Sequence, residues 1–281
     1  MQPDYSDSAL ILVGHGSTLN ADSALPTWQH ADELRRRGIF GQVIEAFWKL
    51  EPGLTASLRA VHLNRVFIVP LFISEGYFTE EVIPREMGFQ KSENGSFNHT
   101  RTECERVFHY CGPVGTHESM TSVLMARADD VVTRHPFPHA PAKKNRSIFI
   151  AGHGTGNSDN SRKAIERQVE LIRETGLYAD VHAVFMEEEP RIESCWELAA
   201  TKNIVMVPFF ISDGLHSYED IPVMLGEPER QVRQRIAQGT PTWRNPTERN
   251  GRRLWYSRSI GNEPHIADVI LQRVAESVGE S

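Results

Sequence analysis

The sequence predicts an α/β fold of two tandem related domains, each a four-stranded parallel sheet flanked by helices. One observation is an internal repeat, since residues 207–222 and 69–84 align without a gap and share nine of their sixteen residues. A repeat at a constant shift indicates a duplicated domain. The other observation is that short apolar segments alternate with helix-like segments in each half, which is the pattern of a parallel sheet covered by helices.

Two shorter motifs follow the same shift of 138 positions and extend the repeat. One is the Gly-His-Gly sequence around His15 and His153, and the other is the Glu-Pro pair that begins at Glu51 and at Glu189. The region between the repeats contains three prolines and no periodicity, which is typical of a connection between domains. We therefore predict three segments: an N-terminal repeat at 1–135, a linker at 136–146 and a C-terminal repeat at 147–281.

The first half opens with an apolar strand that runs into the first Gly-His-Gly motif and then into a helix, which is the opening of a βα unit. The second strand ends before Glu51-Pro52. Pro52 suits the first position of a helix, because its missing N–H is not needed there. The predicted elements of this half are strands at 9–13, 42–48, 65–73 and 107–111, and helices at 26–37, 52–62, 79–87 and 118–132.

The second half repeats this order with one difference in length. Beyond residue 222 the shift grows from 138 to 146, so the C-terminal repeat has gained eight residues net before its fourth strand. Strands with near-continuous apolar runs suit a parallel sheet that is covered on both faces. The predicted elements here are strands at 147–151, 179–185 and 203–210, and helices at 160–175 and 190–200.

Reactive side chains lie where the predicted strands of the C-terminal repeat end. His153 follows its first strand, Glu187 follows its second, and His216 lies in the segment after its third. Ligands of open parallel sheets bind outside the carboxyl ends of the strands, so we expect these side chains on one edge. Two imidazoles and a carboxylate there can hold a divalent first-row metal ion or remove protons from a ligand.

The N-terminal repeat lacks two of these three groups. Lys49 stands in place of Glu187 and Phe78 in place of His216, so only His15 is retained. When two duplicated domains differ at reactive positions, the copy that keeps them is the better candidate for the chemistry. The C-terminal repeat is therefore the predicted site.

Each motif also has a plainer interpretation. A single histidine after a strand is commonly a hydrogen-bonded polar residue without a further role, and a Glu-Pro pair can simply begin a helix. Other enzyme classes fit less well, because the chain contains no GxSxG motif, no P-loop lysine and no GxGxxG fingerprint. Histidine phosphatases carry an arginine before their His-Gly pair, where this chain has Gly14 and Gly152.

Composition and charge narrow the class of protein. The chain has 281 residues and a formal net charge of -7, and no apolar run approaches the ~18 residues of a membrane helix. We expect a cytoplasmic protein without a signal peptide, and neither a nucleic-acid partner nor a membrane partner. Cys104, Cys111 and Cys195 form no CxxC pair, which predicts reduced thiols and not a zinc site.

Together these motifs resemble the CbiX-type sirohydrochlorin chelatases of the class II chelatase family. The resemblance covers nearly the whole chain: GHGS or GHGT after a first strand, an acidic segment that ends in Glu-Pro, VPxFIS(D/E)G and a downstream DIP. It implies ATP-independent insertion of Co²⁺ or Fe²⁺ into sirohydrochlorin, in cobalamin or siroheme biosynthesis, by two halves around one cleft. The divalent metal ion is then a substrate, and no tightly bound cofactor is expected.

Carried over residue by residue, the resemblance implies that His153, Glu187 and His216 form both the catalytic set and the metal-binding set. Glu189 is the alternative carboxylate. Substrate contacts are expected around the motifs and in an arginine-rich segment, from Gly152, Gly154, Thr155, Gly214, His15, Arg230 and Arg233.

The arginine-rich segment lies in the part of the C-terminal repeat that carries the extra length. Forked guanidinium groups pair well with carboxylates, so one interpretation is a basic lip that binds the carboxylates of sirohydrochlorin. The other interpretation is a solvated helix and loop. The arginines concerned are Arg230, Arg233, Arg235, Arg244, Arg249, Arg252 and Arg253.

Two further functions stay open on the sequence. One is a non-catalytic carrier of a metal ion or tetrapyrrole. The other is a chelatase for another tetrapyrrole or for Ni²⁺. Imidazole and carboxylate ligands follow the general order of divalent metal affinities and so do not by themselves select cobalt over iron or nickel. Turnover by a catalytic amount of protein distinguishes the enzyme from the carrier.

Overall fold

A computed structural model describes residues 4–18, 20–154 and 159–279, and it contains two five-stranded sheets that resemble each other in topology. The first sheet is built from β1 (Tyr5–Gly14), β2 (Phe40–Phe47), β3 (Arg65–Pro70), β4 (Thr100–Glu103) and β5 (Arg106–Tyr110). The second sheet is built from β6 (Arg146–Gly152), β7 (Asp180–Phe185), β8 (Asn203–Pro208), β9 (Thr247–Arg249) and β10 (Arg252–Tyr256). The predicted α/β fold class is confirmed.

Helices connect the strands, and most of them lie where the sequence predicts. The described helices are α1 (Leu25–Arg37), α2 (Leu54–Ala60), α3 (Ile83–Glu86), α4 (Met120–Arg134), α5 (Asn160–Glu174), α6 (Cys195–Leu198), α7 (Ile221–Met224), α8 (Glu229–Ala237) and α9 (Ile266–Ser277). In the described part of the first repeat nothing corresponds to α8, so this helix is the extra length of the C-terminal repeat.

The strand order is β2-β1-β3-β5-β4 in one sheet and β7-β6-β8-β10-β9 in the other. The four predicted strands of each sheet are parallel, and each sheet has a fifth, antiparallel edge strand that the sequence analysis did not predict. A two-residue hairpin turn joins each edge strand to its neighbour, and both residues of each turn have positive φ. These residues are Cys104-Glu105 between β4 and β5 and Asn250-Gly251 between β9 and β10. Asn-Gly is the strongest short hairpin signal, so the second of these strands was detectable in the sequence.

The central strands form the core of each sheet. β1 and β6 have parallel neighbours on both sides, and the side chains of Leu10, Ile11, Phe149 and Ile150 on these strands are fully buried. Full burial of one such side chain stabilises a fold by roughly 1.5–3 kcal/mol. This apolar core holds the carboxyl ends of β1, β3, β6 and β8 in place, and the turns that the two repeats share begin there.

The chain divides into two compact units whose boundaries differ from those of the sequence repeats. Unit 1 contains Met1–Met120 and Pro264–Ser281, and unit 2 contains Thr121–Glu263. Helix α4, which ends the first repeat, therefore belongs to unit 2, and α9, which ends the second repeat, belongs to unit 1. The predicted boundaries at 1–135, 136–146 and 147–281 describe the two sequence repeats and their linker, and as domain boundaries they stay a prediction.

Two arginines show this exchange of helices. Arg273 on α9 donates hydrogen bonds to the carbonyl oxygen of Pro113, at 2.8 and 3.0 Å, and to Thr116 Oγ1 at 2.6 Å. Its repeat equivalent, Arg127 on α4, donates to Asn262 Oδ1 at 2.5 Å. Each helix thus reaches the turn that follows the last parallel strand of the other repeat.

The prediction that Pro52 occupies the first position of a helix is wrong. Helix α2 begins two residues later, after Gly53, and the Glu51-Pro52 bond is cis. The carbonyl oxygen of Pro52 accepts a hydrogen bond from the N–H of Phe47 at 2.9 Å, so this proline closes a tight turn at the end of β2. The Glu189-Pro190 pair makes the same turn after β7, where the Phe185 N–H donates to Pro190 at 2.9 Å.

The three cysteines are free thiols, as the sequence predicts. Burial raises the pKa of Cys111 and of Cys195 to about 12, so both thiols are unreactive at neutral pH. Cys104 is exposed on the β4–β5 turn. No helix among the described residues is long and apolar enough to span a membrane.

Candidate functional site

Two histidines meet at the carboxyl edge of the second sheet. His153 follows β6 and His216 follows β8, and their ring centroids lie 5.0 Å apart with the planes at 85°. Strands β6 and β8 are hydrogen-bonded neighbours with Ala151 opposite Pro208. The parallel register therefore brings the ends of both strands to one edge, and the predicted proximity of the two histidines is confirmed.

The glycines on either side of His153 lie against neighbouring side chains of unit 2. A Cβ on Gly152 would lie 2.0 Å from Ile165 Cδ1, and Gly154 has a φ of +65°, where a Cβ would lie 2.8 Å from Phe185 Cβ. A side chain at position 152 would require the end of the Ile165 side chain to move, whereas one at position 154 would meet the base of the Phe185 side chain and also be strained by the positive φ. The expected contact of these glycines with a substrate stays a prediction, and Thr155 lies outside the described residues.

The three consecutive glutamates after β7 have different partners. Glu188 Oε2 accepts a hydrogen bond from Arg162 Nη1 at 2.9 Å, and this bond raises the pKa of Arg162. Glu189 Oε2 accepts from the Arg191 N–H at 3.1 Å and so fixes the turn at Pro190. Glu187 is the member that faces His153, and its side chain is 58% exposed. Of the two carboxylates that the sequence left as alternatives, Glu187 and Glu189, Glu187 is therefore the one beside His153.

The ring of His153 has no close hydrogen-bond partner at Nδ1 in the described part of the chain. This nitrogen is buried, and the nearest acidic oxygen, Glu187 Oε1, lies 3.7 Å away, which exceeds the length of a hydrogen bond. A buried ring nitrogen without a partner is costly, so it requires an explanation such as a bound ion or a catalytic role. Glu187 is near enough to exchange a proton with this histidine after a small side-chain movement.

His216 has a partner that the sequence analysis missed. Its Nδ1 lies 2.7 Å from Asp220 Oδ2, one turn further along the chain. The available signals were the spacing of four residues, which brings two helical side chains together, and the presence of Asp220 in the DIP motif. The equivalent of Asp220 in the first repeat is Val82, so this aspartate is absent there together with the histidine.

The backbone that carries His216 is a π-helical turn, His216–Asp220, which packs into unit 2. The Ile221 N–H donates to the His216 carbonyl oxygen, which is the long hydrogen bond of a π turn. Tyr256 Oη donates to the Ser217 carbonyl oxygen at 2.8 Å. Gly214, a predicted substrate contact, accepts from the Ser217 N–H at 2.9 Å with its carbonyl oxygen. These three hydrogen bonds hold the backbone of the turn in place.

The predicted metal-binding set is not assembled as a three-ligand centre. Among residues 4–18, 20–154 and 159–279, no group of three His, Cys, Asp or Glu side chains lies close enough together to hold a metal ion. The structure brings together the imidazoles of His153 and His216, each with one carboxylate nearby. This arrangement can bind a metal ion weakly and can accept protons.

The corresponding position of unit 1 contains an aromatic cluster. His15 contacts Trp48, Phe72 and Phe78, with ring centroids 5.4, 6.5 and 5.2 Å away. Its Nδ1 lies 2.8 Å from the Gly16 carbonyl oxygen, and the ammonium group of Lys49 lies over the Trp48 ring. Apolar rings and a cation surround this histidine where unit 2 has imidazole and carboxylate, so the described part of unit 1 offers no equivalent metal ligands.

Several arginines of the predicted basic lip have partners inside unit 2. Arg233 pairs with Glu219 and Glu229, at 2.7 and 2.6 Å, and Arg235 pairs with Glu227 at 2.5 Å. Others donate to carbonyl oxygens or to a neighbouring acid: Arg249 to Leu225, Arg252 to Ala199 and Thr201, and Arg253 to Glu248. Arg230 is exposed and has no ion pair with any described residue.

Comparison with known proteins supports the repeat. The family model CbiX matches the chain twice, over residues 9–131 and 147–277. A protein named probable sirohydrochlorin cobaltochelatase, from Halobacterium salinarum, is 42% identical over 279 residues, which cover 96% of this chain and 91% of that protein.

Solved structures show the same fold. A multi-domain protein of Deinococcus radiodurans, described as similar in structure to chelatases, superposes with a TM-score of 0.74 at 30% identity. The match covers 95% of this chain and 54% of that one, so this chain spans about half of that protein. SirB from Bacillus subtilis, solved with Fe³⁺, superposes with a TM-score of 0.66 over 96% of this chain and 95% of its own, at 16% identity.

Proposed function

This chain belongs to the CbiX family, and we propose that it is a chelatase, an enzyme of the lyase class, that inserts Co²⁺ into sirohydrochlorin without ATP. The observation that carries the proposal is the pair of His153 and His216, 5.0 Å apart, with Glu187 beside the first ring. Support for the substrate and for Co²⁺ comes from the 42% identical relative named probable sirohydrochlorin cobaltochelatase. Fe²⁺ is the alternative metal.

The ligand set suits a metal ion that has to leave again. Neutral imidazole binds Co²⁺ and Fe²⁺, whereas a closed site of four ligands would retain the ion. Two imidazoles leave most coordination positions to water and then to the four ring nitrogens of the tetrapyrrole. His216 is 51% exposed and His153 30% exposed, so both can be reached by a large, flat substrate.

The reaction also has to release two protons, because the metal replaces the hydrogens of two pyrrole N–H groups. Glu187 is the carboxylate that we assign to this role, since it is exposed and lies 3.7 Å from His153 Nδ1. A proton accepted by either group can pass to the other and then to water. Positioned general bases of this kind typically contribute about 10²–10⁴-fold to a rate.

The test is an anaerobic absorbance assay with sirohydrochlorin and each of Co²⁺, Fe²⁺ and Ni²⁺. We expect many turnovers per protein molecule with Co²⁺, at a rate above that of the spontaneous reaction. The matched control is the double variant His153→Ala/His216→Ala, which should react no faster than free metal. Binding of one equivalent of tetrapyrrole or metal without turnover would instead identify a carrier.

A further inference from the structure

Asp220 is the residue that contacts one of the two proposed metal ligands most closely. The distance of 2.7 Å between His216 Nδ1 and Asp220 Oδ2 is that of a strong hydrogen bond. The two side chains lie one turn apart on the same short segment, and both are partly exposed. The contact is therefore not enforced by burial and depends on the geometry of the turn.

The turn itself does not need this pair. In unit 1 the segment Phe78–Val82 forms the same π-helical turn, with the Ile83 N–H bonded to the Phe78 carbonyl oxygen. Tyr110 Oη donates to the Thr79 carbonyl oxygen at 2.6 Å, as Tyr256 does in unit 2. Unit 1 thus has the turn and its support without histidine or aspartate. The His216–Asp220 pair is an addition to a turn that forms independently of it.

An ionised carboxylate can only accept hydrogen bonds, so it fixes which nitrogen of a neutral imidazole carries the hydrogen. With Asp220 as acceptor, that hydrogen is on Nδ1 of His216. The lone pair then belongs to Nε2, which becomes the nitrogen available to a metal ion. Histidines that bind metals commonly have such an outer carboxylate, and removal of that group typically costs 10–100-fold in affinity or activity.

His153 lacks an equivalent partner. Its Nδ1 has no hydrogen bond among the described residues, and Glu187 stands beyond hydrogen-bond distance. The two imidazoles are therefore held differently, His216 by a direct carboxylate contact and His153 by none. Asp220 can therefore orient the ring of His216 but not that of His153.

We propose that Asp220 is a positioning residue that holds His216 in its Nδ1–H tautomer and so presents Nε2 to the incoming metal ion. The inference rests on the proposed function for the identity of the metal and tetrapyrrole. The tautomer and the intrinsic metal affinity do not depend on turnover, so they are measured separately. Failure of the proposed function and failure of this inference therefore give different results.

The experiment compares Asp220→Ala and Asp220→Asn with the wild-type protein by three measurements. The imidazole tautomer of His216 is read from ¹⁵N-edited NMR spectra of the metal-free protein, assigned with His216→Ala. The Kd for Co²⁺ is measured by calorimetry without tetrapyrrole. Steady-state kinetics with sirohydrochlorin then give kcat and KM. Glu219→Gln, which removes a charge from the same turn but leaves the contact with His216, is the matched control.

We expect Asp220→Ala to lose the single Nδ1–H tautomer, to bind Co²⁺ about 10–100-fold more weakly and to lower kcat by a similar factor, with the KM for sirohydrochlorin within about twofold. Asp220→Asn should fall between the two proteins, because an amide can still accept the hydrogen bond but is neutral. Asp220→Glu should recover part of the affinity. Glu219→Gln should keep the wild-type tautomer and Kd.

An unchanged tautomer in Asp220→Ala would overturn the proposal, whatever happens to activity. So would a Co²⁺ affinity of that variant within twofold of wild type. If the alanine variant does not fold, as judged by its thermal unfolding, the isosteric asparagine variant decides by its Kd for Co²⁺, which would overturn the proposal if it equalled that of wild type. If the wild-type protein shows no turnover, the proposed function fails while the tautomer and Kd still test the role of Asp220.

Discussion

The rings of His153 and His216 lie 5.0 Å apart and nearly perpendicular, although 63 positions separate them in the chain. Neighbouring parallel strands β6 and β8 produce this contact by ending at the same edge of the sheet. In unit 1 the equivalent residues are His15 and Phe78, which make a comparable ring contact at 5.2 Å and 83°. One geometry thus brings two imidazoles together in one unit and a histidine with an apolar ring in the other.

The first prediction concerns this difference. His153→Ala and His216→Ala should each lower the rate of metal insertion by at least ~100-fold, because each removes half of the imidazole pair. His15→Ala should lower it less than ~5-fold, since His15 is surrounded by Trp48, Phe72 and Phe78. Rates are compared at saturating Co²⁺, with thermal unfolding as a check on folding. A His15→Ala variant as inactive as His216→Ala would show that unit 1 takes part in the chemistry.

A second prediction ranks the three glutamates after β7. Glu187→Gln should reduce kcat by ~10-fold or more, since it removes the carboxylate nearest His153. Glu188→Gln is the matched control, because Glu188 lies in the same loop and is bound to Arg162. We expect kcat within about threefold of wild type for that control. The measurement is steady-state insertion at saturating Co²⁺ and sirohydrochlorin. A greater loss of kcat in Glu188→Gln than in Glu187→Gln would show that Glu187 is not the proton acceptor.

The arginine-rich segment gives a third prediction. Arg230 is exposed without an ion pair to a described residue, while Arg233 is held by Glu219 and Glu229. If Arg230 binds carboxylates of the substrate, Arg230→Gln should raise the KM for sirohydrochlorin several-fold and leave kcat nearly unchanged, as for loss of uniform binding. Salt screens exposed charges, so the variant should also show a weaker rise of KM with ionic strength.

Arg233→Gln is the comparison for this test. Its charge is already compensated by two glutamates, so the change in KM should be smaller than for Arg230→Gln. Equal KM values and equal salt dependence in Arg230→Gln and wild type would identify the segment as a solvated surface.

The fourth prediction concerns the exchanged helices. Arg273 is 12% exposed and bonds to Pro113 and Thr116 of unit 1, although it lies in the last helix of the second repeat. Arg273→Ala should lower the free energy of unfolding by about 2–3 kcal/mol, because it leaves buried acceptors without a charged donor. Arg134→Ala, which removes an exposed pair with Asp130, should cost no more than about 0.5 kcal/mol.

Hydrogen exchange locates the effect. In Arg273→Ala the amides of residues 113–116 and of β3 should exchange faster, because α9 packs against that part of unit 1. Faster exchange confined to β6 and β10, which belong to the same sequence repeat as Arg273, would contradict the assignment of α9 to unit 1.

The sequence alone was sufficient for the fold class and for the duplication, because alternating apolar segments and a constant shift are local properties of the chain. It was also sufficient for the proximity of His153 and His216, since neighbouring parallel strands carry the residues after their carboxyl ends to a common edge. The antiparallel strand β9 could also have been predicted from the sequence, because Asn250-Gly251 is a hairpin signal. The turn at Cys104-Glu105 has no such signal.

Only the tertiary structure decided which groups pair with which. Glu188 pairs with Arg162, which is 26 positions away, while Glu187 lies beside His153. The repeats encode α4 and α9 as helices with an apolar face, but an apolar face does not specify its sheet. That choice depends on contacts such as Arg273 with Pro113, 160 positions apart, which exist only once the chain has folded.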